Sequence, residues 1–546
     1  MYDHKKIEEK WQKRWKKSPI STFNSEDDAE KYYALTMFSY PSGSNLHVGH
    51  WYNYGPADTI ARYKKMRGYN VFQPQGFDAF GLPAENFAIK NDVHPAISTK
   101  KNIDTMRVQL DRIGAMYHWK NIVVTCQEDY YRWTQWLFLE LYKNNLAYQR
   151  NAPVNWCPSC ATVLANEQVK QYASSKKNGA VYNGCDLCRE EVIKKELTQW
   201  FFKITDYAEQ LLDFSELDWP KKTILMQNHW IGKSEGAIVH FSVEGYEDTI
   251  EVFTTRPDTL FGATYMVIAP EHPIVPMITT DQNKQKIADY RKESTTKNDI
   301  QRTDLNKDKT GIFTGSYAIN PVNNKKIPIW IGDYVLLTYG TGAIMSVPGH
   351  DERDYEFANK YSLEITQVVD GDGVDLKNEA YTGDGVAVNS DFIDGLSTAD
   401  AKSKMIDFLE QKDLGKRKIN YKLKDWLISR QRYWGTPIPI VYDPDGRPHP
   451  IPDEHLPWTL PDDVEYKPKG TSPLGTSKAL IERTEKIFGE GWRPEIDTMD
   501  TFVCSSWYYL RYPDNLNSDN AFDGELINKI LPVDMYIGGS EHATMH

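Results

Sequence analysis

Apolar and polar residues change period along this chain in a way that marks out strands, helices and the breaks between them. Tyr32 to Phe38 (YYALTMF) is an apolar, aromatic run of strand length. Pro41, Ser42 and Gly43 interrupt it, and WYNYGPADTIARYKKM then carries apolar residues at helical spacing. The pattern predicts a strand that turns into a helix beginning near Val48, as in an α/β fold. Ahead of it, KKIEEKWQKRWKK (Lys5 to Lys17) sets Trp11 and Trp15 among lysines and arginine, the pattern of an amphipathic helix docked by its tryptophans with a solvated charged face. Further on, AIVHFSVEGYEDTIEVFTT alternates apolar and polar residues over two runs joined near Gly245, which predicts a β-rich segment. NHWIGKSEGA (Asn228 to Ala237) brings Gly232 and Gly236, which suit a crossing between domains. The proline-rich PDEHLPWTLPDDVEYKPKGTSPLG reads as an irregular connection.

Length and charge narrow the class. A chain of 546 residues is too long for one core and implies two to four domains. Hydrophobic residues at 40% and charged residues at 26%, with many aromatics, argue against disorder. No apolar run approaches the ~20 residues of a membrane helix, and the N-terminus lacks a hydrophobic signal core, so a cytoplasmic protein is expected. The net charge of -12 does not exclude a nucleic-acid partner, because binding depends on where basic residues lie.

Six cysteines occur, and four of them form two Cys-x-x-Cys pairs, CPSC (Cys157, Cys160) and CDLC (Cys185, Cys188). Paired thiolates at this spacing supply a tetrahedral sulfur set for Zn²⁺ with no open coordination position, so the ion is expected to be structural. Disulfides are the rival reading, disfavoured in a reducing compartment. Cys126 and Cys504 have no matching partners and are expected to be packed in the interior.

The strand-to-helix corner carries chemistry of its own. MFSYPSGSNLHVGH (Met37 to His50) places His47 and His50 at a helix start, where free N–H groups and the dipole favour an anion, and Gly49 leaves room for a phosphate or a base. Two such histidines also occur by chance on helix surfaces. The string around them resembles the signature of class I aminoacyl-tRNA synthetases, and GFDAFGLPAE (Gly76 to Glu85), NWCPSCATVLANEQV and DWLISRQRYWG resemble further blocks of that family. DAFGLPAE resembles the leucine branch, of bacterial type. The resemblance implies a Rossmann-like catalytic domain with an inserted zinc module and an inserted β-rich editing domain. Boundaries are expected at 1–150 and 196–227 with 419–546 for the catalytic parts, 151–195 for the zinc module and 228–418 for the editing domain. It also implies leucine, ATP with Mg²⁺ and tRNA(Leu) as substrates.

Site residues follow by the same resemblance. His47, Gly49 and His50, with Gly538, Gly539 and Glu541, would meet ATP. Phe38, Tyr40, Asp78, Phe502, Ser505, Tyr508 and His542 would form the leucine site, with Asp78 anchoring the ammonium group. In the β-rich segment, TTRPDT (Thr254 to Thr259) and YGTGAIMSVPGHDERDYEFA (Tyr339 to Ala358) would form the editing site from Thr254, Thr255, Arg256, Asp258, Thr259, His350, Asp351 and Asp354. There Asp354 would bind the amino group of the attached amino acid and Thr259 would exclude leucine. Without the family, the Thr-Thr pair reads as β-propensity and His-Asp-Glu-Arg-Asp as a helix start with acidic residues at its favourable end. A second site has an energetic reason: a hydrophobic pocket separates substrates that differ by one methylene by only ~1–3 kcal/mol.

Two departures from the family stand out. Ser39 occupies the place of a usual proline, and Ser44 with Asn45 lengthens the loop before His47. The sequence ends at His546 before the lysine-rich KMSKS block, so the expectation is a fragment, or one subunit with a separate C-terminal partner, showing little leucine activation alone. The alternatives are a stand-alone tRNA editing hydrolase, a non-catalytic tRNA-binding remnant and a nucleotidyltransferase using the histidine corner.

Overall fold

The computed structural model describes residues 3–164, 168–173, 181–294, 309–337, 341–371, 375–467 and 472–545. It divides into two compact units, Met1–Trp230 with Leu423–His546, and Ile231–Lys422.

In the first unit, helix α1 (His4–Lys17) begins where Asp3 caps the Lys6 N–H. None of its residues is buried. The docking expected of both tryptophans is carried by one: Trp15 lies under the Arg62 guanidinium at 4.8 Å, whereas Trp11 stays 37% exposed beneath Arg14. Strand β1 (Lys31–Thr36), helix α2 (Val48–Met66) and strand β2 (Asn70–Phe72) follow as a strand–helix–strand unit. Because a helix returns the chain to the same edge, β1 and β2 pair in parallel, Tyr32 opposite Val71. The strand Met535–Ile537 pairs in parallel on the other side of β1, Leu35 opposite Tyr536. Tyr54, Ala57 and Ala61 form the buried face of α2, while Tyr52, Tyr63 and Met66 face outward. The cysteine module rests on antiparallel strands Ala147–Cys157, Thr162–Leu164 and Ile193–Phe202.

The second unit is built on a seven-stranded, largely antiparallel sheet. The two alternating runs are strands Ser234–Val243 and Thr249–Thr254, paired as a hairpin with Ala237 opposite Thr254. Gly245 sits in the turn at φ +81°, a left-handed backbone that favours glycine. Helices Glu352–Tyr361 and Thr398–Gln411 supplement the sheet. Among its described residues, the proline-rich stretch from Pro452 is irregular apart from short turns at Asp453–His455 and Pro473–Thr476. Among the described residues, no helix is long and apolar enough to cross a membrane.

Candidate active site, editing site and metal centre

β1 and Met535–Ile537 are parallel, so their carboxyl ends lie on one side of the sheet, and both lead there into helices. In open α/β sheets that side receives the ligand. His47 is the N-cap of α2, with extended backbone. Its Nδ1 accepts the Gly49 N–H at 3.1 Å, and His50 Nδ1 accepts the His47 N–H at 3.2 Å. The two imidazoles thus form a reciprocal capping box. A neutral ring whose Nδ1 accepts carries its proton on Nε2, so each ring presents an Nε2–H donor on the side away from the cap. Burial, and then the His47 neighbour, push the His50 pKa down to about 4. Gly49 is needed for this arrangement, since a Cβ there would lie 2.9 Å from His47 ring atoms. At the other strand end, a Cβ on Gly538 would meet Met37 Sδ at 2.8 Å. The Gly539 carbonyl accepts the Ala543 N–H of the following short helix, on which His542 is exposed. The Glu541 side chain lies outside the described residues.

Asp78 stands beside this corner. Its N–H donates to the Ser39 carbonyl at 3.0 Å, and its carboxylate accepts from Thr125 Oγ1 at 3.2 Å and from the Ser505 hydroxyl. Burial pushes its pKa up to about 7, Asp500 adds to the shift, and the two hydroxyls oppose it. Phe38 stacks on Tyr508 with ring centroids 4.1 Å apart and planes 7° from parallel. Tyr40 donates to the Phe80 carbonyl at 2.6 Å, so its ring is held at the wall formed by the Asp78 block. Phe502 differs: it is 48% exposed and makes no ring contact among the described residues. Thr125 was missed by sequence reasoning, and no local signal distinguishes this threonine.

A second unforeseen link joins the family blocks. Arg432 donates through Nε to Glu85 at 2.6 Å, through Nη2 to Asn86 Oδ1 at 3.1 Å and through Nη1 to the Cys160 carbonyl at 2.7 Å. Both members of the ion pair are buried.

The sulfurs of Cys157, Cys160, Cys185 and Cys188 all lie within 4.8 Å of one another, with Cys157 to Cys188 at 3.4 Å and Cys160 to Cys185 at 3.9 Å. A tetrahedral ion with metal–sulfur bonds of about 2.3 Å spaces its ligands by about 3.8 Å. The donor set therefore fits one metal ion. Cys504 is buried as expected, and Cys126 only half-buried.

In the second unit, TTRPDT ends the strand Thr249–Thr254. The Arg256 guanidinium grips the buried Asp258 carboxylate at 2.9–3.1 Å, the Thr254 hydroxyl accepts the Arg256 N–H at 3.0 Å, and the Thr259 hydroxyl donates to the Arg256 carbonyl at 2.9 Å. Thr255 is exposed. In the second block, residues 338–340, Tyr339 included, lie outside the described residues. Asp351 caps the helix Glu352–Tyr361, accepting the N–H groups of Arg353 and Asp354. Asp354 is buried, and its carboxylate accepts the Val347 N–H at 2.8 Å. Burial, and then Asp351, push its pKa up to about 8. The charges of Arg256 and Asp258 are felt at His350, so the two blocks converge. His350 is used up structurally: Nδ1 donates to the Tyr381 carbonyl at 2.8 Å, and Nε2 accepts from Val368 and Val369 at 2.9 and 3.0 Å. With both nitrogens on backbone, it fastens the loop.

Comparison with known proteins places the chain in a family. Residues 10–235 and 401–543 match the family described as tRNA synthetases class I (I, L, M and V). Residues 228–410 match the family described as leucyl-tRNA synthetase, editing domain. Among curated relatives, the leucine–tRNA ligase of Clostridium tetani is 56% identical over 541 residues, 99% of this chain and 65% of its own length. That of Clostridium botulinum is 57% identical over 542 residues, with the same coverage. The chain thus spans 65% of the length of these relatives. A crystal structure of an Agrobacterium radiobacter LeuRS in ternary complex with tRNA and LeuAMS superposes with a TM-score of 0.81 at 38% identity, covering 100% of this chain and 64% of that one. The chain belongs to the class I tRNA synthetases of the I, L, M and V group and, by its editing domain and its relatives, to their leucyl branch.

Proposed function

We propose that this chain carries the leucine-activating centre and the editing centre of a leucine–tRNA ligase. One observation supports the reading above all: a pair of imidazoles with Nε2–H donors at the carboxyl end of a parallel sheet, beside a buried carboxylate in an aromatic pocket. Leucine would enter with its ammonium on Asp78 and its side chain toward Phe38 and Tyr508. Its carboxylate attacks the α-phosphate of ATP, pyrophosphate leaves, and a terminal ribose hydroxyl of tRNA(Leu) then takes the leucyl group and releases AMP. His47 and His50 donate to phosphate oxygens as charge builds up, and Mg²⁺ brought in with the nucleotide would share that load. Positioning and charge neutralisation suffice without a covalent nucleophile. At the second centre Asp354 receives the ammonium of a mischarged residue, Thr259 narrows the pocket against leucine, and water cleaves the ester. Zn²⁺ on Cys157, Cys160, Cys185 and Cys188 would be structural, in a cytoplasm that keeps the thiols reduced.

The test is calorimetric titration of the 546-residue chain with a non-hydrolysable leucyl-adenylate analogue and its isoleucyl counterpart, beside deacylation of tRNA(Leu) charged with norvaline or isoleucine. Preferential binding of the leucyl compound together with hydrolysis of the mischarged tRNA is expected. Failure to bind either compound overturns the activation reading. About one zinc per chain is expected on the thiolate count.

A further inference from the structure

Behind the imidazole pair lies a hydrogen-bonded group that the reaction above does not use. Tyr54 sits one turn beyond His50 on α2 and is 2% exposed. Its ring centroid is 5.8 Å from that of His50, and its other side meets Tyr117 edge-on at 6.2 Å. The Tyr54 hydroxyl donates to the Met37 carbonyl at 3.0 Å and lies 2.9 Å from the Ser39 hydroxyl. A phenol has a single proton, and with that proton on Met37, Ser39 is the donor to the Tyr54 oxygen. Ser39 is fully buried, and its carbonyl accepts the Asp78 N–H at 3.0 Å. The short segment from Met37 to Ser39 is therefore gripped by α2 on one side and by the backbone of Asp78 on the other.

We propose that Tyr54 and Ser39 are positioning residues that set the His50 imidazole in register with Asp78, so that the phosphate and ammonium subsites share one anchor. The inference rests on the reading of the His47–His50 corner as a nucleotide site and assigns the residues that orient it. The path is physical at each step. The Tyr54 ring limits the tilt of the neighbouring His50 ring, two hydrogen bonds tie the Tyr54 hydroxyl to Met37 and Ser39, and Ser39 carries the backbone bond to Asp78. Removing either hydroxyl leaves the other buried with a lost partner, and α2 gains freedom to rotate.

The test uses the full 546-residue chain labelled with ¹³C and ¹⁵N at histidine, as parent, Tyr54→Phe, Ser39→Ala and the double variant. Two readouts are followed: the NMR titration midpoint of His50, and MgATP affinity by calorimetry. Each single substitution is expected to raise the His50 midpoint by about half a pH unit as the ring gains access to water. Each is also expected to weaken MgATP about fivefold, with the double variant no worse than Tyr54→Phe alone, because that substitution already removes the bond to Ser39. A His50 signal and midpoint unchanged in both singles, or single effects that multiply in the double, overturns the proposal. The titration does not depend on nucleotide: a shifted His50 in a chain that binds no MgATP upholds the positioning role and rejects the nucleotide reading. Ser39→Ala removes one small hydroxyl, so it keeps the test open if Tyr54→Phe misfolds.

Discussion

Asp78 and Asp354 are the same chemical group in two different units, both buried and both pushed up in pKa, to about 7 and about 8. They are held in opposite ways. Asp78 takes its stabilisation from side-chain hydroxyls, Thr125 and Ser505, contributed by distant parts of the chain. Asp354 takes it from neighbours in the chain, first the backbone N–H of Val347, seven residues back, then the Arg353 charge and the Ser346 hydroxyl, beside a helix start capped by Asp351. A buried carboxylate with incomplete compensation is poised to receive a cation, which is the role proposed above for both. The difference teaches that one unit builds its anchor from long-range packing and the other from a local turn.

The sharpest way to break the comparison is to remove each carboxylate and look for crossover. Asp354→Ala is expected to lower deacylation of mischarged tRNA by ~100-fold or more while leaving adenylate-analogue affinity within about twofold, since a lost ionic anchor acts only on the ligand it holds. Asp78→Asn should do the reverse, weakening the analogue by ~30- to 100-fold with deacylation intact. Loss of both activities in either variant would show that the two anchors are not independent. Thr259→Ala tests what surrounds the second anchor: hydrolysis of correctly charged Leu-tRNA is expected to rise by ~10-fold, and a rate equal to the parent's would remove Thr259 from the specificity role. His50→Ala should weaken MgATP by roughly tenfold with editing unchanged, one charge-bearing hydrogen bond being lost.

The smallest effect concerns stability. In the unfolded chain Asp78 ionises near its ordinary value of about 3.9, and in the folded chain at about 7. Between those values the folded state holds the additional proton, so this residue's contribution to stability falls as pH rises from about 4 to about 7. Asp78→Asn, which cannot ionise, is therefore expected to melt about 2–4 °C above the parent at pH 8, with the gain shrinking as pH falls toward 4. An advantage independent of pH would mean that the carboxylate is not strained by burial.

Legibility in the sequence follows the same division between local and distant. The His47–His50 corner was readable because a strand-length run, a Pro-Ser-Gly break and a helical period lie next to one another. The cysteine cluster was readable because metal chemistry demands its spacing, and the Ser234–Thr254 hairpin because period-two alternation meets a glycine turn. Asp351 fulfils the plain reading of a helix start with acidic residues, and His350 is drawn into holding backbone. Thr125, Tyr54 and Arg432 carried no such mark. Each gains its role only from partners brought close by the fold.

The sequence by itself determined the local elements, the thiolate pairs and the resemblance that names the leucyl branch, because backbone periodicity, turn chemistry and motif spacing are short-range properties. Tertiary structure alone decided that Tyr508 stacks on Phe38, that Arg432 joins Glu85 to the Cys160 knuckle, and that Asp78 and Asp354 are buried deeply enough to resist ionisation. The physical reason is that desolvation and side-chain packing depend on which distant residues exclude water from a group, and no local stretch of sequence specifies them.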